Sequence, residues 1–389
     1  MIKHMLNRDT REAHCLRCRR SVMRWIFGPF ILIVSLLLWF FSHRSQDFAT
    51  WYAAFVYPIF PATIGRFWGI FPFSVFEALL ILTVLSVHIA VLLIILSLCS
   101  SKGRERLRVN IKTYATRTLR YLINAISMIL LVFVLGAGIN YNRESYAYHT
   151  GITVQDSSLD ELLQLYMIFI ERAEIIAPQI ETDMNGHFLL RRDGLYYDAR
   201  KSMIELNNLY GGLGNYFPRA KGLFLSRVLL SNLNIGGFFS PWTMEANYNT
   251  DMPGQSIPFV INHELAHVSG HMREDEANFI AYLASRNSEN IDFNYSAVYV
   301  AISYTLNALR GSVSPEQYNE LFSMLPEQLR RDFAAAHAYW QAFQGPAADL
   351  SVRVNDAYLR INQQEDGVQS YGRMVDLLLA YYRAQNKFN

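Results

Sequence analysis

Three long apolar runs near the N-terminus limit what this chain can fold into. They are "WIFGPFILIVSLLLWFF" (Trp25–Phe41), "VFEALLILTVLSVHIAVLLIILSLC" (Val75–Cys99) and "YLINAISMILLVFVLGAGIN" (Tyr121–Asn140). Each reaches or approaches the ~20 apolar residues that cross a bilayer as a helix. One such run is compatible with a buried core helix. Three of them, flanked by arginines and aromatic residues, are expected to span a membrane. The first run lies inside the chain and lacks a small-residue exit site, so it is expected to be a retained anchor and not a cleaved signal.

The distribution of charge suggests an orientation. Lys3, Arg8, Arg11, Arg17, Arg19, Arg20 and Arg24 precede the first run, and Lys102, Arg104, Arg106, Arg108, Lys112, Arg117 and Arg120 lie between the second and third. Only Arg44 and Arg66 fall between the first and second. The positive-inside rule then puts the N-terminus and the second loop in the cytoplasm, and everything after about Asn140 outside it, in a multi-pass protein of the cell membrane. The net charge of +2 hides this bias. The basic residues are read as topology and contact with anionic lipid, so no nucleic-acid partner is expected.

Cysteine usage agrees with this. Cys15, Cys18 and Cys99 all fall on the inner side in this topology, and the large C-terminal part has none, so a packed core and not disulfides must stabilise it. The single CxxC in "HCLRC" (His14–Cys18) is a weak metal or redox signal without a second pair. Glu77 and His88 fall within the second run and are read as structural. Glu77 lies near a boundary where it can be hydrated, and His88 can be neutral and paired between helices.

The expected architecture is α+β. Residues 1–145 form a cytoplasmic tail and three transmembrane helices (about 25–41, 75–99 and 121–140), and residues 150–389 form a mainly helical domain with a small β-sheet. The aromatic and proline-rich segment Thr50–Phe73 suits the headgroup region. Helical spacing marks Asp156–Ile180 and Asp198–Gly212, the latter ended by glycines. Ala220–Thr250 reads as strands with a turn, and helical patterns dominate after Pro258.

The chemistry is concentrated in "INHELAHVSGHMREDEANFIAYLAS" (Ile261–Ser285). His263 and His267 stand at i and i+4, on one face of a helix, so both imidazoles can point at one ion. Glu264 projects beside them, near enough to act on a water without replacing a ligand. A catalytic zinc takes three protein ligands and keeps one open position. The third ligand is expected after Gly270, where the chain can reverse. Glu274 in the first turn of the next helix returns to His267, with Asn278 one turn on to orient a ligand. Glu276 is the alternative, although it points ~200° away around the helix and can pair with Arg273. Asp275 reads as a solvated helix start. His271 falls at i+8 from His263, a poor position for a tetrahedral site on one straight helix. Tyr371, Tyr358, Tyr299 and His271 are candidate donors to an oxyanion. The segment Gly236–Asn249 could offer a strand edge to an extended peptide.

HExxH followed by a helix bearing Glu274-Asp-Glu-Ala277, with Asn278 where many relatives carry an acid, resembles the gluzincin zinc metallopeptidases. Three spans followed by "HELAH…REDEANFIAYL" also resemble an uncharacterised family of bacterial membrane proteins regarded as zinc peptidases. The resemblance implies a zincin-like domain that binds one Zn²⁺ through His263, His267 and a downstream glutamate, with Glu264 as general base. The seven residues from His267 to Glu274 make a shorter spacer than is usual in gluzincins. A short spacer with a glycine three residues after the second histidine resembles metzincins, but their third histidine would fall at Arg273, which cannot bind zinc. Glu274 and Glu276 therefore both stay open as the third ligand.

The expected function is hydrolysis of peptide bonds in a peptide or protein substrate by a membrane-anchored zinc peptidase, peptidoglycan peptides included. The alternative is a non-catalytic envelope protein whose metal clamps two helices while its spans recruit a partner. The intact Glu264 favours the enzyme, because a structural site does not need it. The polarity of Asn262 and Arg273–Glu276 argues against an intramembrane protease.

Overall fold

The computed structural model describes residues 25–388 apart from residue 226; the tail bearing Cys15 and Cys18 lies outside the described residues. Helix α1 (Trp25–Arg44) is followed by α2 (Gln46–Phe55), α3 (Arg66–Trp68), α4 (Val75–Cys99) and α5 (Ser101–Gly136). Of these, α1, α4 and α5 are long and apolar enough to cross a membrane, and the most apolar stretch of α4 buries none of its residues within the protein. Outward-facing leucine, isoleucine and valine on a helix of this length are what lipid requires, and the chain is membrane-associated.

Helix α5 differs from the expectation for its first half. The basic stretch after Cys99 is not a loop but the start of a 36-residue helix. Lysine and arginine are good helix formers, and the Ser100 side chain caps the new helix by accepting from the Gly103 amide. The helix also stops at Gly136, short of the expected Asn140, where Gly138–Asn142 tighten into a 3₁₀ turn. His88 bonds the Val84 carbonyl of its own helix through Nδ1 at 2.7 Å, where pairing between helices was expected.

The chain divides into two compact units. One holds the described residues up to Ser45 with Leu79–Ile139, and the other holds Gln46–Ala78 with the chain from Asn140 onward. The segment between the first two spans therefore packs with the C-terminal part, and the units do not coincide with a division at residue 145. Tyr57 is one reason. It is fully buried, and its hydroxyl donates to the carbonyls of His267 and Val268.

The second unit continues with α6 (Tyr146–Thr150), α7 (Leu159–Ile176), α8 (Leu195–Tyr210), β1 (Lys221–Leu223), α9 (Arg227–Asn232), β2 (Gly237–Ser240) and β3 (Glu245–Asn249). Then come α10 (Ile257–Val268), α11 (Glu274–Arg286), α12 (Ile291–Arg310), α13 (Pro315–Ser323), α14 (Glu327–Gln341), α15 (Pro346–Ile361) and α16 (Met374–Ala384). The start of α7 is fixed by a reciprocal pair of bonds between Ser158 and Glu161. The sheet is small, with order β1-β3-β2; β1 runs parallel to β3, and β2 runs antiparallel to it with Gly237 opposite Tyr248. The strands expected between Ala220 and Thr250 are present, but α9 stands between β1 and β2.

Helix α10 is the centre of this unit. Ile257, Phe259, Ile261, Leu265, Ala266 and Val268 are buried, and the helix packs against α8, α11 and α12 and against β2 and β3. Its buried Asn262 is satisfied by Ser202 of α8 and Ser285 of α11. Burial on every side fixes the rotation of the helix, which matters for the side chains described next.

Candidate metal centre

Helix α10 opens with Pro258 in its first turn, and the Phe259 amide donates to the Ser296 hydroxyl of α12. It ends after Val268, and Gly270 adopts φ +90° while the His271 amide bonds back to the Ala266 carbonyl. A side chain at position 270 would be strained by this conformation, and its Cβ would stand 3.0 Å from the Tyr57 ring. The reversal brings α11 back along α10, with Glu274, Asp275 and Glu276 in the first turn where the helix dipole favours anions.

This hairpin places His263, His267 and Glu274 together. Each is less than a tenth exposed, and one ligand atom from each lies within 4.8 Å of the others. Glu274 Oε2 stands 3.2 Å from His263 Nε2 and 3.5 Å from His267 Nε2, and the two Nε2 atoms are 3.0 Å apart. The outer nitrogens are already committed. His263 Nδ1 donates to Asn278 Oδ1 at 2.8 Å, and His267 Nδ1 donates to the His271 carbonyl at 2.7 Å. With Nδ1 of each ring bonded outward, Nε2 is the nitrogen that each imidazole turns toward the group, the orientation that metal ligands require.

The same donor set makes sense of two buried acceptors. Glu274 Oε2 and Glu264 Oε2 have no hydrogen-bond partner, a state that costs about 1–3 kcal/mol per group when nothing answers it. Two converging imidazole nitrogens and a carboxylate oxygen suit a divalent cation. The group can hold a metal ion.

Electrostatics sort the acids into roles. Burial pushes Glu274 up, but the positive charge of His267 and the closeness of both histidine rings outweigh it and hold the carboxyl at about 2. Burial likewise pulls His267 down, and Glu274 overrides it to raise the imidazole to about 9. His263 is lowered, chiefly by burial. Glu264 is pushed up to about 8, by burial first, with His267 opposing and Glu274 adding to the rise. A carboxyl poised near neutrality suits proton transfer.

Glu276 is occupied elsewhere. Its Oε1 accepts from Arg273 Nη2 at 2.5 Å and from the Tyr146 amide at 3.2 Å, and its Oε2 is 3.5 Å from His271 Nδ1. His271 is fully buried and turns its Nε2 to the Gly212 carbonyl, away from the other two histidines. Its backbone carbonyl, not its ring, serves the centre. Asp275 is half-buried at the helix start, and burial followed by the nearby Glu276 raises it to about 6.

Of the candidate donors, Tyr371 stacks its ring 6.4 Å from that of His263. Burial, then the charge of Glu274, hold its phenol well above the ordinary value, so it stays a donor. Tyr358 is also raised, to about 12, and accepts from the Tyr141 hydroxyl at 2.9 Å. Tyr299 instead stacks on Phe333, 4.4 Å away, and takes no part. Two phenols at the centre have no local signal in the sequence. Tyr304 accepts from Asn278 Nδ2 at 3.2 Å, and Tyr141 comes from the turn after α5. Gly237 is a third such residue. A Cβ there would meet Glu264 Oε1 and Val260 at 2.7 Å and the Asn247 carbonyl at 2.8 Å. Only glycine lets strand β2, the edge of the sheet, come this close to Glu264.

No curated protein and no solved structure matches this chain. Residues 52–379 match the family described as protein of unknown function (DUF3810), and the chain belongs to that family.

Proposed function

We propose that the protein is a membrane-anchored zinc-dependent peptidase. The observation that carries the reading is Glu264, a buried carboxylate with one unpartnered oxygen beside a cluster of two histidines and a glutamate. A purely structural metal site would not need it. When bound by His263, His267 and Glu274, zinc supplies polarisation of the scissile carbonyl and acidification of water. Glu264 takes a proton from the attacking water and passes it to the leaving amine, which its raised pKa permits. Tyr371, protonated and facing His263, donates to the developing oxyanion. Asn278 and the His271 carbonyl keep the two imidazoles in register. The edge of β2 at Gly237 offers main-chain bonds to an extended peptide beside Glu264. The bias of lysine and arginine supports placing this site on the extracytoplasmic face, where envelope peptides, those of peptidoglycan among them, are the accessible substrates.

The test uses the full chain in lipid nanodiscs with a peptide library. Wild type is expected to cleave a subset of the library, and Glu264→Gln to bind zinc equally while cleaving at least ~10³-fold more slowly. Zinc bound equally by both, with no difference in cleavage, would return the site to a structural clamp.

A further inference from the structure

We propose that the face carrying Ile70, Phe73, Phe224, Leu225, Val228 and Leu229 seats in the lipid interface, so that the centre acts on peptides held at the bilayer surface. These side chains are exposed, Phe224 and Ile70 by about three quarters of their surface (76% and 74%). Scattered exposed apolar residues are ordinary, but a contiguous group of this size is not.

Contiguity follows from a chain of bonds at one end of the sheet. The Phe224 amide donates to Glu77 Oε2 at 3.4 Å, in the first turn of α4. Lys221, which opens β1, donates to the Trp68 carbonyl at 2.9 Å and pairs with Glu245 of β3. Glu245 in turn accepts from the Val75 and Phe76 amides at 3.0 and 2.9 Å, capping α4. The residues that leave β1 and those that enter α4 thus share one edge. Short helix α9 presents Val228 and Leu229 outward, while Leu230 and Ser231 are buried.

The occupant follows from α4 itself. From this bonded first turn the same helix, Val75–Cys99, carries on as a candidate membrane span, so chain connectivity alone tethers the apolar face to the point where the chain enters lipid. The centre is tied to this face through β2. The Phe238 ring meets the Phe76 ring at 5.2 Å, and Gly237, one residue earlier, stands against Glu264. A peptide laid on the β2 edge therefore runs beside the first turn of a spanning helix, which selects acyl-anchored or juxtamembrane segments. This last step rests on the peptidase reading; the seating does not.

The seating is tested with nitroxide labels on the full chain in phosphatidylcholine–phosphatidylglycerol nanodiscs, after Cys15→Ser, Cys18→Ser and Cys99→Ser. Labels at Leu225→Cys and Leu229→Cys are expected to show an oxygen-to-nickel accessibility ratio at least about threefold above that of an aqueous control at Met184→Cys. Equal ratios would overturn the seating, and so would shielding from both reagents, the signature of a protein partner or a second copy. For the substrate class, the Leu225→Glu/Leu229→Glu pair is expected to cut acyl-anchored library peptides about tenfold more slowly and soluble ones at the wild-type rate. Equal effects on both would overturn the substrate class. Failure of wild type to cut either library would remove it together with the peptidase reading, while the label ratios would still decide the seating.

Discussion

Two buried charge clusters in the same unit obey opposite rules. At the end of the sheet, Glu245 is 2% exposed, and its oxygens are taken up by Lys221, the Thr243 hydroxyl and the Val75 and Phe76 amides. At the α10–α11 hairpin, Glu264 and Glu274 are nearly as buried, yet each keeps an oxygen without a hydrogen bond. Saturated burial ties the first turn of α4 to the sheet. Unsaturated burial beside two inward-facing imidazole nitrogens is the arrangement that the proposed peptidase would use. The difference predicts opposite responses to removing charge.

The largest contrast sets Glu245→Ala against Glu264→Gln. The first strands Lys221 in the interior and is expected to cost about 3–5 kcal/mol in chemical denaturation of the detergent-solubilised chain. The second replaces a carboxyl that burial pushes up to about 8 with a neutral amide of the same shape, so stability should change by less than ~1 kcal/mol or rise, while cleavage is expected to be lost. Equal destabilisation by both would erase the distinction.

Asn278→Ala sharpens the functional side. It leaves all three ligands in place but frees His263 Nδ1, and zinc affinity measured by competition with a chelator should fall about 10–100-fold. Gly237→Ala should retain the metal but push Glu264 or β2 aside, lowering kcat/KM about tenfold. Gly270→Ala acts through backbone strain at the α10–α11 turn and should cost about 1–2 kcal/mol, read as a lower unfolding midpoint.

The smallest effect belongs to a surface pair that belongs to neither cluster. Arg383 and the Ser158 amide hold Glu161 near a pKa of about 2, below its ordinary 4.5. Because the folded value is the lower one, the stabilisation is present above pH 4.5 and is lost as pH falls towards 2. The pair is partly solvated, so Glu161→Gln at pH 7 should cost less than ~1 kcal/mol.

What the sequence revealed of the centre was local. His263, Glu264 and His267 are legible because a helix puts i and i+4 on one face, and Glu274 and Asn278 because a short reversal returns the first turn of the next helix to that face. The preference for Glu274 over Glu276 rested on rotation about the helix, and the structure adds the partners that claim Glu276: Arg273, Tyr146 and His271. What could not be read was non-local. Tyr57 reaches the end of α10 from 210 residues away, and Tyr141 and Tyr304 arrive through packing that leaves no period in the chain. In the fold, α9 was missed because a short apolar run fits strand and helix equally. The basic start of α5 is hidden in the same way, because dense like charge suits a solvated loop as well as a helix.

The central claim is that His263, His267 and Glu274 hold one catalytic zinc. Zinc content of the purified full chain, measured by mass spectrometry for wild type, Glu274→Gln and Glu276→Gln, tests it most directly. The expected result is one zinc per chain in wild type and Glu276→Gln, and loss of most of it in Glu274→Gln. Full retention in Glu274→Gln, or loss confined to Glu276→Gln, would contradict the account.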